Sequence, residues 1–306
     1  MDKEKFRAMA EFHAAMYINN SNDSRAPALK NAQRDIAAIE LAFPAVQDES
    51  ILLAMAAWLS FLCSVDDEVE RLDVDTAELA LSDSATILTS SLRSNERSSQ
   101  RYGGACLDPA CDAIRAWTKN FIRQLRGLVP LAVYNRLIDS VLDVLEAMLA
   151  EVLLRQTSAV DIETYLLVRT RTVGLRPFFV LLQADLQLDV GGPSSDSALH
   201  ALEANVTLAV ALQNDIVGLW RDLAEGESFN IITLAAGLSG YDLQTAIRSA
   251  VDMHNHAAST ACFLMVSMSD HSNSGALDVA CRRYAASVCA LVATHFAWAS
   301  SAKRYA

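Results

Sequence analysis

Apolar positions along the chain recur at the three- and four-residue spacing of helices, and no alternating strand pattern persists. The longest apolar run lies between Ile51 and Val65 and is interrupted only by Ser60 and Ser64. Further Ala- and Leu-rich stretches, around Leu142–Leu154 and Val206–Leu212, carry the same signature. Clustered turn formers predict loops at 93–111, 189–197, 225–229 and 269–275. Between them the pattern predicts helices of ordinary to long length. With no internal repeat and no long linker, the expectation is one all-α domain over residues 1–306.

Composition agrees, since 52% of the 306 residues are hydrophobic and Gly and Pro are few. The formal net charge of -12 argues against a nucleic-acid partner, which would want a basic stripe. It also means that an anionic substrate needs metal cations to meet these acids. The six cysteines show no zinc spacing. Cys63 and Cys289 lie in apolar runs as small hydrophobes, and reduced thiols are expected for the Cys106 and Cys111 stretch as well.

The opening MDKEKFRAMAEF carries no signal-type apolar core, and the Ile51–Val65 run is shorter than the roughly 20 residues that span a bilayer. A buried core helix, no integral membrane segment and a cytoplasmic protein are therefore expected.

That apolar run ends in Asp66, Asp67, Glu68 and Glu70. On a helix Asp66 and Glu70 are one turn apart, with Asp67 beside them. Carboxylates that close repel one another unless a hard cation binds them, and oxygen-only ligands suit Mg²⁺. A solvated helix end is the plainer reading of such a cluster. Against it, this is the chain's single Asp-Asp pair, and its most apolar segment leads into it.

A second stretch, LQNDIVGLWRDLAEGE, sets Asn214, Gly218 and Asp222 at i, i+4 and i+8 along one helix face. An amide oxygen and a carboxylate two turns apart can bracket a second hard cation, with Arg221 next to Asp222 able to reach an anion. Arg169 and Arg171 precede Gly174 and Pro177, and the chain ends with Arg304 and Tyr305. Arginine is the natural bidentate partner of phosphate oxygens, although each of these alone would pass for a surface residue.

Taken in order, these elements resemble the class I terpene synthases, most closely the microbial single-domain members, from about Trp58 to Tyr305. The resemblance implies the terpenoid synthase helical bundle around an apolar pocket. It implies that Asp66, Asp67 and Glu70 form the aspartate-rich metal motif and that Asn214, Gly218 and Asp222 form the second one. Arg169, 45 residues before Asn214, would be the diphosphate-sensing arginine, with Arg171 the competing candidate. Arg221, Arg304 and Tyr305 would complete the diphosphate contacts. Trp298 would wall the pocket and steer the cation, with Phe61, Phe178 and Phe179 behind it, although core packing is the simpler role for the three Phe residues.

The cofactor implied is Mg²⁺, three ions per site, with Mn²⁺ as substitute. The implied substrate is a linear prenyl diphosphate, with farnesyl favoured over geranylgeranyl diphosphate, and a homodimer is compatible. Two positions depart from the family pattern: Gly218 lacks the usual hydroxyl, and Asp222 shortens the usual Glu. They keep a non-catalytic helical binding protein in contention. A chain-elongating prenyltransferase would carry a second aspartate-rich motif where this chain has NDIVGLWRD. His254 and His256, at i and i+2, point to different helix faces and are read as structural.

Overall fold

Capping side chains mark where the helices begin. In the computed structural model, which describes residues 2–18, 24–93, 108–157, 160–188, 196–227, 229–240, 242–270 and 276–301, Asp2, Asp48, Asp108 and Asp161 each accept a first-turn backbone N–H as N-caps. The helices so defined are α1 (Lys3–His13), α2 (Arg25–Ala42), α3 (Glu49–Val69), α4 (Val74–Arg93), α5 (Pro109–Leu125) and α6 (Leu131–Arg155). They continue with α7 (Ile162–Thr172), α8 (Leu175–Asp185), α9 (Asp196–Glu225), α10 (Ile231–Ser239), α11 (Leu243–Asp270) and α12 (Ala276–Ser301). Among the described residues there is no strand, as the helical spacing predicted.

The chain packs as two compact units. The first comprises residues 1–40, 46–153 and 176–181; the second comprises 41–45, 154–175 and 182–306.

In the first unit α3 is the core helix, with Trp58, Phe61 and Val65 fully buried. Phe61 stacks on Phe121 of α5 with centroids 4.8 Å apart, and Trp58 packs against Phe61, Phe121 and Phe178. The helix runs to 21 residues, past the apolar run seen in the sequence, and by length and composition alone it could cross a membrane. Its apolarity has a simpler cause in the burial of most of its surface inside this unit. No other described helix meets that length-and-composition test.

Polar groups lock the N-terminal helices onto α3. His13 Nε2 lies 2.9 Å from Ser60 Oγ and 3.2 Å from Asp35 Oδ2, and Tyr17 donates its hydroxyl to the same carboxylate. Carbonyls left over at the end of α1 and the turn after it accept from α5: Gln124 donates to Phe12, Arg123 to Ala15 and Asn120 to Met16, each at 3.0 Å. Cys111 of α5 is disulfide-bonded, which corrects the expectation of a reduced thiol there. Cys106 lies outside the described residues.

In the second unit α9, 30 residues long, packs against α10, α11 and α12. Its core joins Leu212 and Leu219 to Tyr165, Phe229, Ile231 and Ile232. Gly174, at φ +70°, turns the chain from α7 into α8, and Pro177 sits in the first turn of α8, where no helical N–H is needed. Gly226, at φ +75°, ends α9. After it, Glu227 holds Arg155 in a 2.5 Å ion pair and accepts the Phe229 N–H.

Candidate active site

The acidic cluster occupies the C-terminal end of α3, with Asp66 and Asp67 half-buried and Glu70 exposed as the C-cap. Helix carbonyls at this end already carry partial negative charge, so carboxylates here work against the helix dipole. The last turn contains no basic residue to offset them. Glu68 turns toward Arg71 in a loose 4.0 Å pair. Toward the helix dipole alone the placement is unfavourable, a cost that a bound cation would offset.

The second stretch lies on α9, where Asn214 is half-buried and Asp222 is buried. One oxygen of Asp222 accepts from Arg221 Nη2 at 2.9 Å and Nε at 3.2 Å; the other accepts from Asn230 Nδ2 at 2.9 Å. Arg221 also lies 3.8 Å from Glu225. Gly218 faces this carboxylate: a Cβ built there would stand 3.4 and 3.5 Å from its two oxygens, ordinary contact distances. A Cβ at position 218 would therefore meet Asp222 at van der Waals contact.

Arg169 meets a partner that sequence reasoning missed. Its Nε donates to Asp215 Oδ1 at 2.9 Å, while Tyr165 donates its hydroxyl to Oδ2 at 2.5 Å and the Ile231 N–H adds a third bond at 3.2 Å. Burial pushes the Asp215 carboxyl up from its ordinary value, and the Arg169 guanidinium and the Tyr165 hydroxyl pull it back. Asn230, fully buried, donates to both the Asp215 carbonyl and the Asp222 side chain, and its own Oδ1 caps α10 through the Ile232 N–H. The Asn before the apolar run IITL is a readable helix-start signal, but nothing in the sequence names Asp222 as its partner.

Immediately before Asn214, Gln213 ties three helices together. Its Oε1 faces His295 Nδ1 at 2.8 Å, and its Nε2 donates to the Val292 carbonyl at 2.9 Å and faces His254 Nε2 at 3.0 Å. His254 thus pairs with Gln213, and His256 is exposed. Burial first, and the nearby Arg169 charge second, hold His295 down to about 4, a neutral imidazole at pH 7. Trp298 is half-buried one turn further along α12, its ring 5.6 Å from that of His295.

Phe61, Phe178 and Phe179 are buried in the first unit, Phe61 completely. Arg171 is half-buried at the end of α7. Arg304 and Tyr305 lie outside the described residues.

No three His, Cys, Asp or Glu side chains among the described residues converge as a ready-made ion cage. The candidate donors on α3 are carboxylates alone, and those on α9 are an amide and a carboxylate. That set fits Mg²⁺, which is commonly held by one or two carboxylates with water and substrate phosphate completing its octahedron.

Residues 57–259 match the family model described as terpene synthase family 2, C-terminal metal binding. The chain belongs to this family. The matched segment contains both acidic stretches, and the description of the family is consistent with a divalent metal.

Over 99 residues the chain is 33% identical to Delta(6)-protoilludene synthase from Stereum hirsutum, a stretch amounting to 31% of this chain and 26% of that protein. Among solved structures it resembles linalool/nerolidol synthase from Streptomyces clavuligerus in complex with 2-fluorogeranyl diphosphate. That likeness has a TM-score of 0.72 at 16% identity over 98% of this chain and 94% of that one. Hedycaryol synthase in complex with nerolidol is also similar, with a TM-score of 0.65 at 17% identity over 97% and 93% of the two chains. At such identities these likenesses speak for the fold, the all-α class I terpenoid synthase fold that the motifs implied.

Proposed function

We propose that this terpene synthase ionises a linear prenyl diphosphate, farnesyl diphosphate by preference, and closes the resulting allylic cation into a cyclic sesquiterpene hydrocarbon or alcohol. The observation that carries the reading is the family match running unbroken through the acidic end of α3 and the Asn214 face of α9. The same run draws residues from both compact units, which supports reading them as parts of one synthase domain.

Asp66, Asp67 and Glu70 would hold Mg²⁺ at one motif, Asn214 and Asp222 at the other, with water where Gly218 offers no hydroxyl. Three ions, with Mn²⁺ able to substitute, are the expected complement. When bound, the metal supplies positive charge against the departing diphosphate. Arg169, Arg221, Arg304 and Tyr305 would donate hydrogen bonds to the same oxygens as charge builds on them. Asp215 contributes by fixing Arg169, since a guanidinium anchored through Nε has fewer orientations left to lose.

Once the diphosphate leaves, the fate of the cation depends on apolar walls that exclude water. The Trp298 face would stabilise positive charge by about 0.5–2 kcal/mol, enough to bias competing ring closures. The stretch shared with a protoilludene synthase supports a sesquiterpene product, and with it farnesyl over geranylgeranyl diphosphate, in this reading.

A second reading is a helical binding protein without turnover, and one observation favours it. Both Asp222 oxygens are already engaged by Arg221 and Asn230. Release of inorganic diphosphate from farnesyl diphosphate, with Mg²⁺ and with a chelator, separates the two. Metal-dependent release supports the synthase; metal-dependent binding of the diphosphate without release supports the binding protein.

A further inference from the structure

We propose that Cys262 of α11 and Cys289 of α12 form a redox-sensitive disulfide that staples these two helices. Their sulfurs are 3.4 Å apart and both thiols are reduced. A disulfide bond is about 2.05 Å long, so the sulfurs need to approach by about 1.4 Å. α11 and α12 pack against one another, and this contact brings the two sulfurs together. Neither metal motif involves these residues, so the inference stands apart from the synthase reading.

The two thiols are unequal. Cys262 is exposed and Cys289 only half so. Burial, followed by the hydrogen bond to Cys262, pushes the Cys289 thiol up to about 12. Cys262 is therefore the sulfur that meets a soluble oxidant first. With a peroxide, Cys262 sulfur attacks the O–O bond to give a sulfenic acid and one water. Cys289 sulfur then attacks Cys262 sulfur, the S–S bond forms, and the departing hydroxide takes up the Cys289 proton as a second water. Two thiols lose two electrons, and one peroxide becomes two waters.

The consequence reaches the neighbourhood of Asn214. Residues Val292 and His295 of α12 hold Gln213, which precedes it. A link closing the 27-residue separation between the cysteines restricts the unfolded chain and fixes α12 against α11.

The test treats the full chain with hydrogen peroxide, blocks remaining thiols with N-ethylmaleimide and maps the peptides by mass spectrometry. The expected result is a linked Cys262–Cys289 peptide that a dithiol reverses. The thermal midpoint of the oxidised chain should rise by several degrees, a shift absent from Cys262→Ser and Cys289→Ser. Recovery of Cys262 as a sulfinic acid, or linked to Cys63, Cys281 or a second chain, would overturn the proposal. Wild-type mapping decides the matter even if a variant folds poorly.

Discussion

Arg169 donates through Nε to Asp215 at 2.9 Å, tying α7 to the residue that follows Asn214. Asp215 is buried and accepts two further bonds, from Tyr165 and Ile231. Removing it takes one acceptor away from a half-buried guanidinium and a buried hydroxyl together. Asp215→Ala should lower the unfolding free energy by about 3 kcal/mol, read by urea denaturation. A loss under about 1 kcal/mol would mean that water replaces the carboxylate easily.

The acids at the end of α3 oppose its dipole, an unfavourable contribution that their removal would relieve. Asp66→Ala combined with Asp67→Ala should abolish turnover while the thermal midpoint stays level or rises by a few degrees. Circular dichroism and product assays on the same preparation check both halves. Retained product formation would remove the metal assignment for this pair.

Much of this was legible in the chain because it is local. The apolar run into Asp66 and Asp67, and the spacing of Asn214, Gly218 and Asp222, are contiguous, and helical periodicity alone puts them on shared faces. Asp215 and Asn230 escaped notice because their importance comes from partners 46 and 8 residues away, met only after packing. Cys262 and Cys289 sit in apolar context, where a thiol reads as filler until its neighbour across the helix pair is known. The Cys111 disulfide runs against the expectation of a reduced thiol, because the sequence carries no distance between sulfurs.

Gly218→Ser is expected to be accepted, because the added Cβ meets Asp222 at ordinary contact distance. Helix propensity should raise stability by about 0.5 kcal/mol. The new hydroxyl should lower the Mg²⁺ concentration for half-maximal turnover by a few-fold. A drop in stability would show that the carboxylate needs that space empty.

His295 is buried neutral, its folded value near 4 against 6.5 for the free side chain. Between those values the unfolded chain binds a proton that the folded chain refuses, so stability rises with pH across this window. Acidifying from pH 7 to pH 4 should therefore cost up to about 3 kcal/mol through this group. Denaturation at both pH values should show a smaller fall in His295→Gln than in the wild type. Equal falls would assign the acid sensitivity to other groups.

The central claim is metal-dependent cyclisation of a prenyl diphosphate. The most direct measurement incubates the purified chain separately with the C10, C15 and C20 diphosphates, with and without Mg²⁺, and analyses the organic extracts by gas chromatography–mass spectrometry. A cyclic C15 hydrocarbon or alcohol that appears only with Mg²⁺ and the C15 substrate is the predicted result. No product from any of the three substrates, with the chain folded and Mg²⁺ present, would contradict it.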